Sequence, residues 1–206
     1  MSLPSRLLGA NPSLQVSTLL SGSLTTPSAK GAFVGTSFES IATTTVGSGG
    51  SSEVEFTSIP GTYKHLQIRF VGRTNTGSDS AVHVRFNSDS GSNYSRHRLY
   101  GENSTVGQDG TANNTELTLG KVTNATDIVG AAIIDILEYA NTNIYKTARC
   151  LAGLDRGTSG GIVLLAGGNW RNTNAITSIM LRPDNFGSGG VWAQYSQFAL
   201  YGIKGA

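Results

Sequence analysis

A single cysteine, Cys150, excludes any intrachain disulfide, so packing and hydrogen bonds alone must hold the fold. A catalytic thiol needs a base beside it, and none is identifiable for Cys150. A small buried hydrophobe in a strand is the expectation. Charge is scarce, at 14% of residues, and nearly balanced at a net +2. No global basic field exists to hold nucleic acid, and no direct nucleic-acid partner is expected. Long apolar runs are also missing. The longest, Ile128 to Leu137, is broken by Gly130 and Asp135 and is too short for a membrane-spanning helix. The N-terminus lacks a basic stretch leading into an apolar one, so neither a secretory leader nor a membrane partner is expected. Catalytic signatures are absent too: there is no Gly-x-Ser-x-Gly elbow, phosphate loop or His-Glu-x-x-His pair. The chain reads as a non-enzyme, with no catalytic residue, cofactor or metal.

What the sequence has is glycine, 27 residues of it, and short β-branched segments separated by polar turns. The stretch from Ile59 to Gly101 organises the rest. Leu66, Ile68 and Phe70 alternate with Gln67 and Arg69, and Val82, Val84 and Phe86 alternate with His83 and Arg85. A period of two places one set on each strand face. The spacing predicts a meander of three strands, ending at Tyr94–Gly101, with one buried face. Further strands are predicted at Phe38–Val46, Glu53–Thr57, Glu116–Leu119, Ile128–Tyr139, Tyr145–Leu151, Ile162–Ala166, Ile176–Arg182 and Gln194–Ile203. Residues 102–114 read as an exposed polar excursion. About eleven short strands at near-regular spacing, without a confident helix, signify a sandwich or barrel. The expected fold is all-β, an antiparallel β-sandwich in jelly-roll order, over residues 36–206.

Residues 1–35 differ. They carry Pro4, Pro12 and Pro27, no acidic residue, and leucines with no sustained period. They read as an extended N-terminal arm that binds a partner through Leu3, Leu7, Leu8, Leu14, Val16, Leu19 and Leu20, since a disordered tail carries fewer such residues.

The polar residues of the central strands suggest contacts rather than chemistry. His83 and His97, with Arg85 and Arg96 nearby in sequence, make a poor metal set because cations repel a metal ion. Arg69, His83, Arg85 and Arg98 form a candidate subunit- or ligand-facing polar face. Asn87–Asn93 spaces oxygen side chains like a calcium loop, but its glycine offset and missing bidentate Glu fit a strand connection better. Asp135 and Glu138 would serve as an acid/base pair only across a cleft, and strand-end positions explain them more simply. Trp170, Trp192, Tyr195 and Tyr201 are either core aromatics or a sugar-stacking platform.

Four phrases resemble tailed-bacteriophage virion proteins. They are Ile59-Pro60-Gly61-Thr62-Tyr63-Lys64-His65-Leu66, Arg85-Phe86-Asn87-x-Asp89-x-Gly91-x-Asn93-Tyr94, the run from Ile134 to Thr147, and Phe198-x-Leu200-Tyr201-Gly202-Ile203. Pro4-Ser5-Arg6-Leu7-Leu8-Gly9 is similar to short leaders on phage structural proteins. The resemblance implies a structural role made in the host cytoplasm and placed on the capsid exterior. It points to a capsid decoration, or cement, protein, with the major capsid protein and its own copies, as a homotrimer, for partners. The alternative is a tail or head-fibre component binding host surface polysaccharide. A third reading is a glycan-processing enzyme.

Overall fold

The computed structural model describes residues 37–75, 79–184 and 190–205. The expected arm, with Leu3, Leu7, Leu8, Leu14, Val16, Leu19 and Leu20, lies outside the described residues. Among the described residues the chain forms twelve strands and one short 3-10 turn, Gly157–Ser159. The first six strands are β1 (Phe38–Thr45), β2 (Val54–Phe56), β3 (His65–Gly72), β4 (Asp79–Phe86), β5 (Tyr94–Glu102) and β6 (Thr105–Asn114). The second six are β7 (Leu117–Thr123), β8 (Gly130–Leu137), β9 (Lys146–Asp155), β10 (Gly161–Trp170), β11 (Ile179–Pro183) and β12 (Gln197–Ile203).

Two antiparallel sheets pack as a sandwich. One has eight strands in the order β1-β12-β3-β8-β9-β10-β5-β6, and the other four, β2-β11-β4-β7. With the hairpins β5–β6 and β9–β10 set aside, β1-β12-β3-β8 faces β2-β11-β4-β7. That is the strand order of a jelly roll, in which the chain crosses from sheet to sheet at almost every step. The two hairpins widen the larger sheet only.

The predicted meander is not formed. β3, β4 and β5 are successive in sequence but none pairs with another: β3 lies between β12 and β8, β4 between β11 and β7, and β5 between β10 and β6. Alternation reports which face is buried, not which strand lies alongside. Residues 102–114 are likewise no loop, because β5 and β6 pair from Tyr94/Asn114 to Glu102/Thr105. Their glycines mask a strand. A Cβ at Gly107 would strike the Tyr100 ring at 2.6 Å, and one at Gly110 the His97 ring at 2.5 Å. Each aromatic ring lies across its partner glycine and takes the place of a side chain there.

The core holds two aromatic groups. Phe86, Tyr94 and Trp170 lie within 5.7–6.3 Å centroid to centroid, and Phe70, Trp192 and Phe198 within 4.8–6.2 Å. Cys150 on β9 is buried, and its thiol points across the sandwich to the Leu119 carbonyl of β7 at 3.5 Å. Burial, and secondarily the charge of Asp135, push its pKa up to about 12. Lys146, which opens β9, is fully buried. Its ammonium donates to the carbonyls of Asn141 (2.6 Å), Ile144 (2.8 Å) and Thr173 (3.0 Å), so each of its three protons has an acceptor.

Candidate functional site

The sandwich presents two outer faces, and the candidate polar residues do not share one. His83 and Arg85 project outward from β4 on the smaller sheet, opposite the inward Val82, Val84 and Phe86. Arg69 lies on the outer face of the larger sheet. Its guanidinium sits 5.3 Å from the Tyr201 ring centre and 5.7 Å from that of Phe38. Arg98 points to the opposite side of that sheet, since it pairs in register with the inward Ala166. With Arg96 it holds Asp109, both at 2.6 Å, and it stacks 5.2 Å over Tyr100. Three surfaces carry the four residues.

The smaller sheet's outer face is built around Glu116, which immediately precedes β7. Its carboxylate receives Arg182 at 2.7 Å, the His83 ring at 3.0 Å and Arg85 at 3.4 Å. Asp184 lies 3.5 Å from the other His83 nitrogen. Burial works against the charge of Glu116, but the bond from His83 and the charges of His83 and Arg182 outweigh it, and the carboxyl is held below its usual range. Every charge here has an opposite within reach, so the cluster clamps β4, β7 and β11 together instead of presenting an open ligand site. A second clamp sits at the sandwich edge, where Asp79 takes Arg156 at 2.8 Å and Lys121 at 3.4 Å, and Lys121 also reaches Glu102 at 2.8 Å.

The larger sheet's outer face is different. Two cross-strand rows run over its centre. One reads Arg69-Ile133-Leu151-Leu165-Leu99, the other Val71-Ala131-Gly153-Val163-Gly101. Ile133, Leu151, Val163, Leu165 and Leu99 are 41–62% exposed. Between the rows lies a shallow depression of about 460 Å³ floored by Ala131 and Gly153 and walled by Val71, Ile133, Leu151 and Val163. A contiguous apolar surface of this kind is uncommon on a protein that meets only water. The sequence carried a signal for it that alternation hides: Ile133-Ile134 and Ile162-Val163-Leu164-Leu165 are apolar at both parities, as in strands covered on both faces.

Comparison with protein-family models, curated proteins and solved structures found no match. The surfaces therefore carry the functional argument.

Three further candidates resolve into scaffold. In the Asn87–Asn93 connection the Asp89 carboxylate accepts from Trp170 Nε1 at 2.7 Å, Gly91 N at 2.8 Å and Asn93 Nδ2 at 2.9 Å. Burial opposes that charge, yet the Trp170, Asn93 and Gly91 donors keep the carboxyl below its usual range. The residues that would bind calcium instead pin a turn to the core. Among the described residues no group of three or more His, Cys, Asp and Glu is placed to hold a metal. Asp135 accepts from Gln67 at 2.7 Å and Arg149 at 2.9 Å, while Glu138 pairs with Lys64 at 2.7 Å. Each carboxylate is engaged with its own cation, and they do not form an acid/base pair. Trp170 and Trp192 are buried in the core and take no part in a stacking platform, while Tyr195 is exposed and Tyr201 lies beside Arg69.

Proposed function

We propose that the protein is a non-enzymatic structural component of a tailed-phage virion, a capsid decoration protein on the exterior of the head. The observation that carries this reading is the contrast between an outer face whose ionic cluster around Glu116 is paired within the chain and a broad outward apolar face suited to protein–protein contact. The resemblance of the four phrases to phage virion proteins motivates the same role. In this mechanism a stiff jelly-roll body sits on the shell, and the leucines of residues 1–35 lie across neighbouring major-capsid subunits. Apolar burial supplies about 25 cal/mol per Å², partly offset by ordering the segment. Self-association then adds avidity, because several such segments must release together.

Two measurements test it. The 36–206 fragment, checked by circular dichroism for retained β structure, is expected to lose co-sedimentation with capsids; full binding removes the N-terminal segment from the mechanism. In purified particles the chain should approach one copy per major capsid subunit. A few copies per hundred capsid subunits would overturn the cement reading in favour of the fibre.

A further inference from the structure

We infer that the outer apolar face of the eight-stranded sheet is a two-fold self-association surface, on which a second copy of this chain stacks sheet against sheet. This refines the self-association invoked above but does not depend on a virion role. It predicts a pair where the family resemblance leads one to expect a trimer.

The face is complementary to itself. Take a two-fold axis lying between two stacked sheets, perpendicular to β9 at the level of Ala152. Each central strand then lies antiparallel over its own copy. Residue 151 meets 153 of the partner, 133 meets 131, and 165 meets 163, by the registers within the sheet. Leu151 thus lies over Gly153, Ile133 over Ala131, and Leu165 over Val163. The bulky row of one copy faces the row that floors and walls the depression of the other. The same operation brings Arg149 of one copy to Asp155 of the other. Both are exposed and outward on β9, six residues or about 20 Å apart at about 3.3 Å per residue. Arg149 remains 66% exposed although it reaches Asp135, so it is available to the partner.

Gly153 supplies a second, independent observation. Its backbone is not in the left-handed region, and a Cβ built there meets only the Ile162 carbonyl at 3.8 Å, an ordinary contact. Among the described residues nothing requires glycine at the centre of β9, where a glycine weakens a strand. A side chain from a second copy entering the depression does require it.

The footprint is modest. Four strands at about 4.8 Å by six residues at about 3.3 Å give about 400 Å² in plan, or roughly 1,000 Å² of accessible surface for the pair. That is the lower bound of a specific interface, so association in the micromolar range or weaker is expected.

Sedimentation velocity of the full chain over a wide concentration range tests the inference. A reversible monomer–dimer equilibrium is expected. Gly153→Leu, which fills the depression, and Leu151→Lys, which places a charge in it, should each weaken dimerisation at least tenfold with the melting temperature of the body retained. Arg149→Glu and Asp155→Lys should each weaken it, and the double variant should recover most of the loss, because the two-fold pairs each with the other. A monomer at all concentrations, a trimer, no effect of Gly153→Leu, or no recovery in the charge-swapped double variant would overturn the proposal. So would a monomer that binds capsids and loses binding with Leu151→Lys, which would give the face to the capsid subunit instead.

Discussion

The outer face of the four-stranded sheet gathers His83, Arg85 and Arg182 around Glu116, whereas the outer face of the eight-stranded sheet sets out Ile133, Leu151, Val163 and Leu165. Both are solvent-facing sides of strands whose inner sides build the same core. On the first, His83 and Arg85 alternate with inward Val82, Val84 and Phe86, and the cluster around Glu116 neutralises its own charges. On the second, alternation fails over three neighbouring strands, and the exposed positions have no partner within the body. Among the described residues, only the first face has its outward groups paired by the same chain.

Variants can break this comparison. The largest effect is expected behind the apolar face, at Lys146→Met, which removes the donor from three carbonyls at the start of β9. A loss of about 3 kcal/mol is expected, roughly 10 °C in the melting temperature, since unpaired buried acceptors keep their desolvation cost. If thermal unfolding hardly moves, the buried ammonium is not what holds the 141–146 turn. On the charged face, Glu116→Ala leaves Arg85, Arg182 and His83 facing one another. About 2 kcal/mol should be lost in urea unfolding, with an unchanged m-value.

The pH dependence separates the faces more finely. Asp89, Asp109 and Glu116 are held below their ordinary values of 3.8, 3.8 and 4.5, in each case by donors and cations that overcome burial. A carboxyl depressed on folding contributes stability that is fully present above its unfolded value and lost as pH falls through the folded one. Stability should thus fall with acid below about pH 4.5, and Glu116→Gln should flatten that limb; an identical slope in both proteins would remove Glu116 from the account. The smallest effect is expected at Leu151→Lys, within about 0.5 kcal/mol of the parent, because Leu151 is already 57% exposed. A large destabilisation there would mean that the apolar row belongs to the fold after all.

The all-β sandwich was legible from the number and spacing of the strands. The positions of β3, β4 and β5 were not, because period-two alternation is blind to partner choice. β6 was hidden because its glycines are completed by His97 and Tyr100 from across the ladder. The apolar face went unread for a related reason: runs such as Ile162–Leu165 say that both sides of a strand are apolar but not which side is covered.

The phrases resembling virion proteins have their own lesson. Asn87 accepts from the amides of Thr177 and Ser178 at 2.8 and 3.1 Å, and Asp89 from the Trp170 indole. Tyr139 hydroxyl donates to the Pro60 carbonyl, and Gly202 leaves room for the Tyr63 ring. These residues stitch turns to the core, so what they encode is architecture.

Cys150 gives the molecule a built-in clock. Its thiol is sealed between β9 and β7, and with a pKa near 12 almost none of it is thiolate at neutral pH. A thiol-labelling reagent can reach it only after the two sheets part. The labelling rate then counts sheet-separation events in the native protein, read at one atom without any engineered probe, and it should stay fixed when the outer apolar face is altered.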